Sequence, residues 1–233
     1  MGSARAVKIL QRPIQVADDV IVSSAWAVPR GCQTGSAPVL VLAHGAGNDM
    51  QNPLLSYVHE QTAAAGLPCV KFNFPYKEQG RRAPDRPALL QACWRAVADA
   101  VREDPELAPS QLFLGGKSMG GRMASMLASS GYPCTGLVFL GYPLHPARKL
   151  HSLRTDHWPR IRCPVLFIQG TRDRLCDLQR LRGALDGLEA PATLHVIEGA
   201  DHAFKVLKRL GRSDLDVWAE IVSVTTAWIR GRT

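Results

Sequence analysis

Three residues far apart in this chain of 233 could together split an acyl bond: Ser118, Asp173 and His202. A serine hydroxyl is a poor nucleophile until a base removes its proton. A histidine can take that proton and return it to a leaving group. An aspartate can hold the imidazole in the required tautomer and stabilise its positive form. Ser118 lies in Gly116-Lys117-Ser118-Met119-Gly120. Before it, Gln111-Leu112-Phe113-Leu114-Gly115 reads as a buried strand, and after it, Gly121 to Ala128 reads as a helix. A Gly-x-Ser-x-Gly turn between strand and helix pushes the hydroxyl out at the tip of a sheet. Gly116-Lys117-Ser118 also resembles the end of a phosphate-binding loop, but that pattern needs a glycine where Gln111 stands.

Each partner has rivals. His44, His145 and His151 compete with His202, and Asp177 and Asp201 with Asp173. Asp201 adjoins His202, and neighbouring residues rarely point at each other. Asp177 is placed to cap a helix. An oxyanion formed during acyl transfer needs two donors: the amide after the nucleophile, here Met119, and one from a loop after an early strand. His44-Gly45-Ala46-Gly47 occupies that place. Its glycines permit close backbone approach, Ala46 N–H is the expected second donor, and His44 is expected to brace the loop. His145, His151 and His157 recur every six residues, which scatters them around a helix. With no H-E-x-x-H and no C-x-x-C, neither a metal nor any other cofactor is expected.

Apolar strands alternating with helices must position these groups. Strands are expected at Ile14 to Val28 (two extended pieces around Ala17-Asp18-Asp19), Val39 to Ala43, Leu67 to Phe74, 111–115, Thr135 to Tyr142, Pro164 to Gln169 and Ala192 to Ile197. Helices are expected at Asn52 to Ala65, Pro87 to Arg102, after the serine, at Asp177 to Leu188 and at Ser213 to Ile229, with Ser213 as its N-cap. Pro29 to Pro38 and Pro75 to Pro87 read as loops, and His145 to Arg160 as a loop or short helix. Such alternation implies a mostly parallel sheet with helices on both faces, in one domain over residues 1–233. Ligands of these sheets bind beyond the carboxyl ends of the strands. Asp173 and His202 each follow a strand, and the order Ser, Asp, His is that of an α/β-hydrolase triad.

Composition narrows the function classes. Hydrophobic residues make up 46% and charged residues 21%, ordinary for a globular domain. No apolar run is long enough to span a membrane, and Met1 to Lys8 lacks the apolar core of a signal peptide. The six cysteines are scattered, which suits a reducing cytoplasm. The net charge of +8 is spread along the chain, densest at Arg81-Arg82 and from Lys205 to Arg212. With 6% aromatics and no basic-aromatic interleaving, it reads as a solvated surface, and no nucleic acid or membrane partner is expected.

Leu42 to Met50, the Lys117-Ser118-Met119-Gly120-Gly121-Arg122 elbow, Gly141-Tyr142-Pro143-Leu144-His145, Gly170-Thr171-Arg172-Asp173 and Ala200-Asp201-His202 span the chain almost end to end. In these stretches it resembles the small α/β-hydrolases grouped with testis-expressed protein 30 and with the hydrolase-like domain of a non-specific-lethal chromatin complex subunit, relatives of dienelactone hydrolases. The resemblance implies a compact single-domain α/β-hydrolase fold with little or no cap, and places Ser118, Asp173 and His202 on its triad. The expected activity is hydrolysis of small carboxylic or thioesters by a cytoplasmic monomer or homodimer. Some members of that group look like interaction subunits, so a catalytically silent binding module is the alternative. Only Tyr142 to Arg160 offers chain for a lid. Lys117, Arg122, Arg172 and Arg174 suit either an anionic substrate or a solvated rim.

Overall fold

The computed structural model describes residues 6–35 and 37–232; the N-terminal reading of Met1 to Arg5 and the loop residue Ser36 lie outside them. Eight strands form one sheet among the described residues: β1 (Val7–Ala17), β2 (Val20–Pro29), β3 (Pro38–Ala43), β4 (Cys69–Phe72), β5 (Gln111–Lys117), β6 (Gly136–Leu140), β7 (Val165–Gly170) and β8 (Ala192–Ile197). Their order across the sheet is β1-β2-β4-β3-β5-β6-β7-β8. β3 to β8 run parallel, while the β1–β2 hairpin joins antiparallel through β2 and β4. The helices are α1 (Pro53–Ala64), α2 (Pro75–Glu78), α3 (Pro87–Arg102), α4 (Met119–Ser129), α5 (Leu178–Leu185) and α6 (Asp214–Arg230).

Strands covered on both faces need apolar residues at every position rather than at alternate ones. All of β3, β4, β6 and β7 is buried, and so is β5 after Gln111. One face packs Phe72, Trp94, Leu114, Phe139 and Trp158 in a core that includes residues of α3 and α4. The other packs Leu55, Val58, Phe113, Ile221 and Trp228 from α1, α6 and the sheet. Burying each such side chain contributes about 1.5–3 kcal/mol before entropy is set against it.

Helix boundaries follow from capping. Asn52 accepts the Leu55 amide at 3.3 Å ahead of Pro53 in the first turn. Asp177 accepts the Arg180 amide at 2.8 Å. Ser213 and Asp216 form a reciprocal capping box on α6. The expected element order is observed, with differences at the ends. β1 starts at Val7 because the whole of it pairs with β2. β4 is shorter than expected because Pro68 has no amide and the Phe74 amide turns to His44. The segment after Phe74 opens with α2, and Trp158–Arg160 is a single 3₁₀ turn.

β5 and α4 approach β3 more closely than side chains would allow. A Cβ at Gly116 or at Gly120 would overlap the Ala43 carbonyl. Because the obstacle is backbone in a central strand, it cannot move aside. Gly120→Ala should therefore lower stability by about 3 kcal/mol or more, read as a lower urea midpoint with the slope unchanged; an unchanged midpoint would contradict this packing.

Candidate active site

Ser118 sits between the last residue of β5 and the first of α4, with φ of 52° and ψ of −115°. Positive φ is uncommon and strained for a residue with a Cβ. The surroundings enforce it: Ser118 N donates to Leu140 O in β6 at 3.1 Å, and Ser118 O accepts the Arg122 amide at 3.1 Å inside α4. The side chain is thereby aimed beyond the carboxyl ends of the strands, where the loops after β7 and β8 meet it.

Ser118 Oγ lies 2.9 Å from His202 Nε2, and His202 Nδ1 lies 2.7 Å from Asp173 Oδ2. The second contact sets the tautomer: with the proton on Nδ1 donated to the carboxylate, Nε2 is free to accept from the serine hydroxyl. The Asp173 side chain is fully buried, whereas that of His202 is 28% exposed. Asp173 has further donors: Gln169 Nε2 reaches Oδ2 at 2.6 Å and the Leu175 amide reaches Oδ1 at 2.8 Å. Burying a carboxylate without such partners would be costly.

The rival groups have other occupations. Asp201 accepts the amides of Ala203 at 2.8 Å and Lys205 at 3.0 Å, so it shapes the loop that carries His202. Phe204, wholly buried, anchors that loop in the core. His145 Nε2 accepts the Asp177 amide at 3.0 Å, His157 pairs with Ser125 at 2.7 Å, and His151 is exposed. Among the described residues no group of three or more His, Cys, Asp or Glu could hold a metal ion.

The loop after β3 lies against the serine. Gly45 is close enough that a Cβ there would be 3.4 Å from Ser118 Cβ. Ala46 lines the same cleft as Ser118 and His202, and Met119 opens α4, where the first amides have no partner inside the helix. His44 braces the loop: its Nδ1 donates to Gly45 O at 2.9 Å and its Nε2 accepts the Phe74 amide at 3.1 Å. Burial pushes His44 down to about 4, so it stays neutral and this pairing persists. Tyr76 OH donates toward Gly45 O at 3.5 Å and Asn48 O at 3.4 Å, a second clamp that sequence reading missed because Tyr76 falls in a segment read as polar loop.

The cleft in front of Ser118 holds about 270 Å³ and is lined by Ala46, Asn48, Leu54, Leu175, His202 and Ala203 among others. No residue of 142–160 lines it. That segment, the one stretch with chain for a lid, is tied to the core at its ends while 147–152 are exposed: Tyr142 is buried against Phe139, Phe167 and Trp158, and its hydroxyl donates to Arg154 O at 2.9 Å. Of the four cations, Arg172 and Arg174 stand exposed at the rim beside His202. Arg122 belongs to the neighbourhood of Tyr142, Arg154 and His157.

Lys117 is buried beside Ser118 and is among the residues that line the cleft. Its Nζ has no hydrogen-bond partner and lies 5.6 Å from the centre of the Phe204 ring. Desolvation pushes it from its ordinary 10.5 down to about 8, against the pull of the Asp173 and Asp201 charges. Sequence reading placed it only as a possible rim charge.

The Alpha/beta hydrolase domain family profile matches residues 36–230. The chain belongs to the α/β-hydrolase family. Solved structures share the fold of this α/β-hydrolase at low identity. A dienelactone hydrolase from Anabaena variabilis superposes with a TM-score of 0.75 at 19% identity, covering 97% of this chain and 98% of its own. An α/β serine hydrolase without lid from Xanthomonas campestris gives 0.69 at 21%, covering 98% and 96%. An α/β serine hydrolase homologue from Coxiella burnetii gives 0.72 at 18%, covering 92% and 96%.

Lys117 also sets a stability test. A lysine whose folded value lies below its unfolded one destabilises the fold at pH 7 and is relieved as pH rises from about 8 to 10.5. Over that window the unfolded chain binds the extra proton, so stability rises with pH. The full difference corresponds to about 3 kcal/mol, less whatever the Asp173 charge loses when the ammonium is removed. Lys117→Met should raise stability by roughly 1–3 kcal/mol at pH 7, with the advantage shrinking by pH 10. Thermal melts at the two pH values check this, and an equal or lower Tm for the variant at pH 7 would refute it.

Proposed function

We propose that the protein is a serine hydrolase of small carboxylic or thioesters, working through an acyl-enzyme on Ser118. The observation that carries this reading is the unbroken chain from Ser118 Oγ through His202 to buried Asp173, opening on a cleft. In the proposed cycle, Ser118 Oγ attacks the carbonyl carbon while His202 Nε2 takes the hydroxyl proton. The resulting imidazolium is stabilised by Asp173. The oxyanion is held by the amides of Met119 and Ala46; losing one such donor typically costs about 100- to 1000-fold. His202 then protonates the leaving group as the tetrahedral intermediate collapses. A water, deprotonated by the same nitrogen, releases the acid and restores the serine. No cofactor enters any step.

The open cleft supports short acyl groups over long lipids, since no segment arches over it to cover an extended chain. The Lys-Ser-Met-Gly-Gly-Arg elbow supports a closer kinship with the testis-expressed protein 30 group. The rim arginines Arg172 and Arg174 remain open as contacts for an anionic substrate.

A fluorophosphonate probe should label the wild type and not Ser118→Ala. Asp173→Asn should retain the fold but lose about 10⁴-fold in kcat, because the imidazole would lose its required tautomer. Labelling of Ser118→Ala would sink the nucleophile assignment. No labelling of a folded wild type would leave the binding-module alternative. Among p-nitrophenyl esters, activity should fall as the acyl chain lengthens from acetate or butyrate; a preference for long chains would overturn the substrate proposal.

A further inference from the structure

At the opposite end of the sheet from Ser118, two cysteines meet that the sequence keeps apart. Cys134 precedes β6 and Cys163 precedes β7, and their sulfurs lie 3.5 Å apart. The frame holding them is rigid. Just after Cys134, the Thr135 amide donates to Leu112 O at 2.7 Å and its hydroxyl accepts the Leu112 amide at 3.2 Å. Just after Cys163, Pro164 O accepts the Leu137 amide at 2.9 Å, so the two strand starts are bonded to each other. The thiols are therefore set side by side by the parallel ladder of β6 and β7.

Both cysteines are half-buried and open onto a surface cleft of about 250 Å³, shared with Tyr132, Arg160 and Arg162. By contrast, Cys69, Cys93 and Cys176 are buried, and desolvation pushes their thiols up. A small reagent can thus reach this pair but not those three, and the Arg160 guanidinium favours one that is anionic, Arg162 being paired with Glu189.

We propose that Cys134 and Cys163 form a reversible disulfide, made by exchange with an anionic low-molecular-weight disulfide of the glutathione type. This goes beyond the proposed hydrolase activity and does not depend on it. Either thiol can donate the hydrogen bond between them; with Cys134 donating, the Cys163 thiol is held below its ordinary range and is the attacking group. Its thiolate displaces one glutathione thiolate from glutathione disulfide, forming a mixed disulfide. Cys134 then gives up its proton, attacks the Cys163 sulfur and expels the second glutathione thiolate. Two protein thiols and one small disulfide become one protein disulfide and two small thiols. Two electrons pass to glutathione, and the two released protons end on its thiols. Closing the bond requires the sulfurs to approach to about 2.05 Å, a small shift from contact.

The test uses the full chain, reduced and then incubated with glutathione disulfide. Intact mass should fall by about 2 Da, with a proteolytic peptide linking Cys134 to Cys163, both reversed by dithiothreitol. The oxidised form should melt several degrees higher than the reduced form, since the bond closes a loop of 29 residues. Cys134→Ser should stop at the mixed disulfide on Cys163, gaining about 305 Da. An unchanged wild-type mass, two stable glutathione adducts, or a linkage through any other cysteine would overturn the proposal. The wild-type measurements decide the matter even if a variant does not fold.

Discussion

The site depends on the contact between the β5–α4 turn and the end of β3. Gly116 and Gly120 lie so close to the Ala43 carbonyl that a methyl group would fit at neither place. This closeness brings Gly45, the next residue but one after Ala43, beside Ser118 and puts Gly45 and Ala46 in the wall of the same cleft. It also lets Ser118 keep a positive φ, because the helix behind and the strand beside it leave the chain no other path. The strain is local, and the central strands hold it.

Around that contact the polar groups are arranged by their cost of burial. Asp173 is covered and has three donors: Gln169, Leu175 and His202. His44 is covered and kept neutral, with both ring nitrogens engaged. Lys117 differs: its ammonium has no hydrogen-bond partner, and only the Asp173 and Asp201 charges offset its burial. Stability is given up at Lys117, next to Ser118 with its positive φ.

The strand and helix order was legible because buried parallel strands need uninterrupted apolar runs, and Val39 to Ala43 or Pro164 to Ile168 can be read as little else. The three site residues were legible because each follows such a run. The second layer was not. Gln169 ends the apolar run of β7, but nothing along the chain points it at Asp173. Tyr76 sits among charged residues that hide its inward direction, and Tyr142 to Arg160 looks polar enough to float although its aromatic residues face inward. The meeting of Cys134 and Cys163 depends on strand register, which spacing along a chain does not encode.

Strand exposure separates the parts of the site. Ser118 stands on β5, in the middle of the sheet, but His202 hangs from β8, the edge strand, whose residues before Ile197 are half-buried or exposed. Edge strands open more readily than central ones. A fluctuation that lifts β8 would carry away His202, together with Ile197 and Phe204 of one core, and leave the Ser118 turn, the loop after β3 and the central strands in place. The contact between Ser118 and His202 can thus come apart without the molecule unfolding, so heat or mild denaturant would break it before any global probe of structure responds.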